Sequence, residues 1–357
     1  MKIIKCLVVL SALLLVVSCT NENQTIPQKK VTLTKLYTIE GFPEGADSVE
    51  TFLLDYSGTK ADEKGNLIIR DKKSGSFKVF DRSGKFVSGV SKKGVGPEEI
   101  QNFSSFLIEK DTIVVFDNRV NVKKFNKNGD FVSATTLKMA DVRLFEKMTP
   151  LNDSTMIGIS SVYGKVDNGV QIDVELVLSD RQFNIFKTID SNLNEKSSLD
   201  RVFFDEPVFT FSKENIFVSR RSKSEYKIKI YSFNGDYLRT INMNYARTKY
   251  NRHEIEMINK LDYLTPEESK VIYDYKPALY GMQTDKYGNI WVIRSTGIFG
   301  SDLNFDIMSE DKIIADMTIK NGDTGDSSGK DVIIKEYFYL VDYDNNLIEV
   351  YDYKIEN

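Results

Sequence analysis

The sequence predicts an all-β fold: a six-bladed β-propeller closed by an N-terminal strand, with a short helical insert. Three observations carry that reading. Short β-rich runs alternate with Asp, Gly, Asn and Ser turns, one marker strand recurs six times, and a lone strand-like segment precedes the first unit. The stretch from Ala61 to Phe103 shows the unit. Lys64-Gly65-Asn66 is a turn, and Leu67 to Ile69 is an apolar run ending in Arg70-Asp71. A polar loop (Lys72 to Gly75) leads to Phe77, Val79 and Phe80, and the turn Asp81-Arg82-Ser83-Gly84 leads to Phe86 and Val87. Such runs, with turns about every eight to twelve residues, form a hairpin meander. One unit cannot bury both faces of its sheet, so it needs neighbours of its own kind.

The chain supplies them. With Leu67 as the first aliphatic of the marker strand, Ile113 opens IVVFD, Met156 opens MIGIS and Ile216 opens IFVSR. Ile290 then opens IWVIR and Phe338 opens FYLVD. The first, second and last steps between markers match the about 40–50 residues of a four-stranded blade. The two longer steps hold the polar stretch Asp190 to Arg201 and the segment Tyr245 to Lys276. After each marker comes a second strand: Phe77 to Phe80, Val122 to Phe125, Val174 to Leu178, Ile228 to Tyr231, Leu303 to Ile307 and Leu347 to Tyr351. The sixth unit is one strand short. Val31 to Ile39 (VTLTKLYTI) has no other partner and is expected to complete it, which removes free sheet edges.

The segment Tyr245 to Lys276 breaks the β pattern. Ile255, Ile258 and Leu261 give a partial helical period, and Thr265-Pro266-Glu267-Glu268 reads as a capping box with proline at the first helical position. Two short helices are expected between blades four and five, either packed on the propeller or serving as a lid or docking pair.

The N-terminus is a separate regime. Lys2 and Lys5 precede an apolar stretch from Cys6 to Val17, then Ser18-Cys19. The stretch is too short for a span of about 20 residues and fits the hydrophobic region of a secretory signal. Ser18-Cys19, with Val16 and Val17 ahead, resembles a bacterial lipobox. That resemblance implies cleavage before Cys19 and lipidation of its thiol; an ordinary signal peptide with an incidental cysteine is the alternative. The expected organisation is a signal peptide over 1–18, a lipidated tether over 19–30 and the propeller over 31–357, with the insert at about 245–276. Cleavage would leave Cys19 as the only cysteine and allow no intrachain disulfide.

From Val31 onward the chain resembles NHL-type repeat proteins and the six-bladed β-propeller lipoproteins of bacteria. The most specific match is Gly94-Val95-Gly96-Pro97-Glu98-Glu99, similar to the Gly-x-Gly-Pro-Gly-Glu loop of that family, with Glu98 where the second-last glycine is usual. The resemblance implies a membrane-anchored protein of the cell envelope, periplasmic or surface-exposed. It also implies non-catalytic binding of a glycan, peptide or partner protein. Similar propellers include lactonases and lyases with a divalent metal in the channel, so a channel-centred enzyme is the alternative. A structural interaction module is a third.

Composition narrows the chemistry. A formal charge of −4 argues against a general nucleic-acid binder. The single histidine, His253, excludes a His-based zinc or iron site; it alone could serve a serine triad, and no Gly-x-Ser-x-Gly elbow surrounds any serine. Asp342-Tyr343-Asp344-Asn345-Asn346 lacks the glycine and the final Glu of an EF-hand, since Leu347 and Tyr353 hold those places. Gly94-Val95-Gly96-Pro97 lacks the Lys-Ser/Thr of a phosphate loop. With 52 acidic residues, the sequence selects no catalytic carboxylate pair. No cofactor is expected.

One constellation follows from the phase. The fifth positions of the marker strands are Asp71, Asp117, Ser160, Arg220, Arg294 and Asp342. All six are polar, which solvation of strand ends alone would explain. The functional alternative is a charged ring at the channel mouth, joined by Arg70, Lys72, Lys73, Arg119, Arg221 and Lys223. In it Arg220 and Arg294 would grip a polar or anionic ligand.

Overall fold

A computed structural model of the chain describes residues 29–41, 52–138, 143–166, 169–192, 207–222, 224–244, 246–259, 275–294, 302–320 and 330–356. The signal-peptide reading, Cys19, the second expected helix and Lys223 lie outside the described residues.

A first strand, β1 (Lys30–Glu40), is followed by five complete four-strand units. Blade one holds β2 (Leu54–Ala61), β3 (Leu67–Asp71), β4 (Phe77–Phe80) and β5 (Phe86–Val90). Blade two holds β6 (Phe103–Glu109), β7 (Thr112–Asp117), β8 (Asn121–Asn126) and β9 (Phe131–Thr136). Blade three holds β10 (Arg143–Pro150), β11 (Met156–Val166), β12 (Gly169–Ser179) and β13 (Ile185–Asn192). Blade four holds β14 (Pro207–Ser212), β15 (Asn215–Arg220), β16 (Lys227–Ser232) and β17 (Tyr237–Asn242). Blade five holds β18 (Gly281–Thr284), β19 (Ile290–Ile293), β20 (Leu303–Ser309) and β21 (Lys312–Ile319). Blade six has β22 (Lys330–Ile334), β23 (Phe338–Asp342) and β24 (Leu347–Glu356), and β1 pairs antiparallel with β24 as its fourth strand. The six-bladed propeller and its closure by the N-terminal strand stand as read from the sequence.

The first three positions of the marker strands are almost wholly apolar because each strand is buried on both faces. Leu67 and Ile69 pack with Tyr339, Val341 and Ile348 of blade six, whereas Ile68, between them, packs with Phe106 and Ile113 of blade two. Six apolar clusters among the described residues each join one pair of neighbouring blades, so the core is a ring of interfaces.

The closing strand uses both faces by a different device. Val31 and Leu33 lie against the cluster between blades five and six, but Tyr37 and Ile39 lie against the one between blades six and one. All four have odd numbers and would share a face in a regular strand. A bulge between Lys35 and Tyr37 inserts Leu36, swaps the faces, and leaves Leu36 itself 46% exposed.

Two of the turns between first and second strands share a side-chain clasp. Asp62 Oδ1 accepts the amides of Lys64 (2.9 Å) and Asn66 (2.8 Å), and the Asn66 amide group donates to Oδ2 at 2.7 Å. Asp285 repeats the arrangement with Tyr287 and Asn289, and also accepts from the indole of fully buried Trp291 at 3.0 Å.

The insert contains a helix, α1 (Arg252–Asn259). Its N-terminus is a capping box that the sequence reading missed: Asn251 accepts the Glu254 amide at 2.9 Å, and Glu254 accepts the Asn251 amide at 2.7 Å. Glu254 is 2% exposed and paired with Lys276.

Candidate functional site

The first strand of each blade lies innermost, and these strands line the central channel. Three cavities of about 820, 470 and 280 Å³ occupy it, and all three are walled in part by Lys147 and Asp331. The largest opens toward the turns between first and second strands. It collects Thr59 and Lys60 from β2, Leu107 from β6, Lys147 and Thr149 from β10, Gln283 from β18 and Ile333 from β22.

Two charged groups in this channel are displaced from ordinary behaviour. Lys60 keeps some surface open to the cavity but is surrounded by protein, and this desolvation, with Lys147 and Lys335 adding like-charge repulsion, pushes its ammonium down to about 8. Asp331 is exposed to the channel yet ringed by protein. That desolvation raises its carboxyl above the usual range, and the Val332 amide, with the charges of Lys147 and Arg221, only partly opposes it. Lys147 has a left-handed backbone (φ 50°) inside the bulge between Glu146 and Thr149, a conformation seldom adopted by a residue with a side chain. Gln283 is a fixture, donating to the Val332 carbonyl at 2.7 Å and accepting the Ile334 amide at 2.8 Å.

The six strand-end residues are placed differently from the expected ring. None lines these three cavities, because the marker strand is second from the axis. Asp71 is a loop clasp: its carboxylate accepts the amides of Leu53 (2.9 Å), Lys73 (3.1 Å) and Ser74 (3.1 Å), and the Ser74 hydroxyl. Burial pushes that carboxyl up, but these bonds outweigh it and hold it below the usual range. Asp117, 1% exposed, accepts the amides of Gln101 (3.1 Å) and Asn102 (2.7 Å) and pairs with buried Lys123 at 3.0 Å. Lys123 in turn donates to the carbonyls of Gly96 and Glu99, so the glycine-rich loop is pinned from beneath. Ser160 is fully buried and accepts from Arg143 (2.8 Å), which also binds Glu175 at 2.8 Å. Asp342 accepts twice from Asn345, at 3.0 Å each, with Lys330 at 3.8 Å.

Nor do the two arginines converge on one ligand position. Arg220 makes a two-pronged contact with Asp190 of blade three (2.9 and 2.8 Å) and donates to the Ser191 carbonyl at 2.8 Å. Arg294 binds Asp306 of its own blade at 3.2 Å, and that carboxylate also accepts the Tyr226 hydroxyl at 3.0 Å. Of the flanking cations, Arg70 stacks over Phe103 and Arg119 over Tyr163, while Arg221 donates to the Tyr280 carbonyl. Physically, these strand ends hold loops and neighbouring blades.

The channel residues escaped the sequence reading although a signal exists. Lys60, Leu107, Thr149, Gln283 and Ile333 each pair in register with the second residue of their marker strand, and all five line the largest cavity. Among the described residues, no group of three or more His, Cys, Asp or Glu side chains is placed to hold a metal ion, so the metal-dependent alternative has no fitting donor set there.

Residues 49–290 match the family DUF5128, described as a 6-bladed beta-propeller. The chain belongs to that family. The sequence matches no curated protein. Among solved structures, the DUF5128 propeller superposes on a member of the DUF4221 family from Bacteroides vulgatus with a TM-score of 0.55. Identity is 12%, over 92% of this chain and 99% of that one. An exported protein of Bacteroides fragilis gives a TM-score of 0.52 at 14% identity, over 92% of this chain and 96% of that one. At these identities the likeness concerns the fold.

Proposed function

We propose that this DUF5128 propeller is a cell-envelope lipoprotein that binds a glycan, peptide or partner protein without transforming it, and that the ligand docks in the central channel. The observation that carries the reading is the run of cavities along the axis, walled by polar side chains from several blades. A cavity of about 820 Å³ lies within the roughly 300–1,000 Å³ range of small-molecule sites. The basic, apolar and Ser18-Cys19 succession at the N-terminus supports export and anchoring. The exported relative from Bacteroides fragilis is consistent with it.

The test has two arms. Mature protein is titrated with neutral and acidic oligosaccharides and with peptides, and the binders are recovered and analysed by mass spectrometry. Saturable binding with unchanged ligand supports the reading; a converted product overturns its non-catalytic part. In parallel, Cys19→Ala is expected to move the protein from the membrane fraction to the soluble one, since acyl chains supply the attachment. An unchanged membrane fraction would remove the lipoprotein.

A further inference from the structure

Resting on the channel as the binding site, we propose that Lys60 anchors an oxyanion subsite in the largest cavity. It would take a carboxylate, sulfate or phosphate group carried by the ligand. Three separate features of the cavity wall bear on it.

The first is an ammonium with no carboxylate partner. The other lysines around this end of the channel are committed: Lys64 to Asp111 at 3.1 Å, Lys110 to Asp153 at 3.4 Å and Lys335 to Glu63 at 3.3 Å. Asp62 is likewise taken by Lys127. Among the described residues Lys60 has only the ring of Phe106, 5.2 Å from the ammonium. An aromatic face supports a cation but leaves its outward hydrogens free for an acceptor. The charges around Lys60 are Lys147 from β10 and Lys335 after β22, with Asp331 lining the same cavity.

The second feature is the neighbouring Thr59. Its hydroxyl is buried without a hydrogen-bond partner among the described residues, and Thr59 lines the same cavity. Unsatisfied buried hydroxyls are uncommon, and this one lies in the cavity wall on the strand face opposite Lys60. The third is Lys147, whose left-handed backbone sits in a strand bulge at the channel wall. Bulges re-aim side chains, and strained backbone concentrates where a side chain must be aimed. An incoming oxyanion would relieve the crowding of positive charge and accept charge-assisted hydrogen bonds. The low basicity of the Lys60 ammonium comes first from its burial and then from this same crowding.

The probes are citrate and inorganic phosphate, with maltotriose as the uncharged control, titrated calorimetrically into wild type, Lys60→Met and Lys60→Arg. Citrate or phosphate is expected to bind saturably. Lys60→Met should weaken it at least tenfold, and Lys60→Arg should hold it within about threefold, as a retained positive charge requires. Citrate bound more tightly than phosphate points to a carboxylate ligand, and the reverse order to a phosphate ester. Unchanged anion affinity in Lys60→Met, or no anion binding by wild type, overturns the subsite. Maltotriose binding without anion binding would do so while leaving the channel reading intact.

A variant-free measurement guards against a folding defect. Wild type is acetylated with an amine-reactive reagent at pH 8, and modification at Lys60 is read by peptide mass spectrometry. Citrate or phosphate is expected to slow that modification selectively; equal rates with and without anion overturn the proposal.

Discussion

Asp117→Ala separates the structural account of the strand ends from the ligand-ring account. Asp117 and Lys123 are 1% and 8% exposed in their side chains, and their charged groups lie 3.0 Å apart. Replacing Asp117 by alanine orphans the amides of Gln101 and Asn102 and leaves the Lys123 ammonium buried with only the Gly96 and Glu99 carbonyls. Each orphaned buried donor costs about 1–3 kcal/mol. Breaking a buried pair by removing one partner costs about 3–5 kcal/mol in total. The expected loss of stability is therefore about 3–5 kcal/mol, read from urea unfolding monitored by Trp291 fluorescence. The double variant Asp117→Ala/Lys123→Met no longer buries an uncompensated charge. Its loss should fall short of the sum of the single losses by at least about 1 kcal/mol, the signature of a coupled pair. An Asp117→Ala protein within about 0.5 kcal/mol of wild type would refute the reasoning, because that is how a solvated strand end behaves.

Two further outcomes follow from the same geometry. Arg220→Ala should cost about 2 kcal/mol in thermal or urea unfolding because it strips charged hydrogen bonds from Asp190. Arg294→Ala, whose side chain is 44% exposed with one bond of 3.2 Å, should cost less than about 1 kcal/mol; equal losses would contradict the different packing of the two. Burial raises the Asp62 carboxyl, but hydrogen bonds from Lys127 and Asn66 outweigh it and hold it low. A depressed carboxyl contributes stability that is present above the unfolded value of about 3.9 and is lost as pH falls through the lower folded value. Asp62→Asn should thus flatten the acid limb of a stability–pH profile below about pH 4, and an unaltered limb would count against this account.

How much of this was legible in the sequence depends on which forces wrote it. The marker strands are sandwiched between blades, so Leu67, Ile68 and Ile69 all had to be apolar, and that run is visible without coordinates. The closing strand was legible by elimination, since blade six lacked a partner for Leu347–Glu356. The channel was not, because its walls come from first strands with mixed composition. Lys60 between Thr59 and Ala61 reads as an ordinary solvated turn flank until the ring brings Lys147 and Asp331 around it. The strand-end polarity was read correctly as a pattern, but its cause is local. Asp71 and Asp117 serve backbone amides that a sequence does not show to be buried.

The pairing of β1 with β24 also dictates an order of events. Lys35 meets Glu349 across a separation of 314 residues, so β1 has no partner until the last blade exists. The loop-closure cost grows only logarithmically with such a span, roughly 0.6 kcal/mol per doubling, and is no thermodynamic obstacle. The kinetic effect is larger, because contacts so distant in sequence slow folding and leave β24 with an open edge meanwhile. Until that seam is sewn, five complete blades and a three-stranded sixth wait on eleven residues at the other end of the chain.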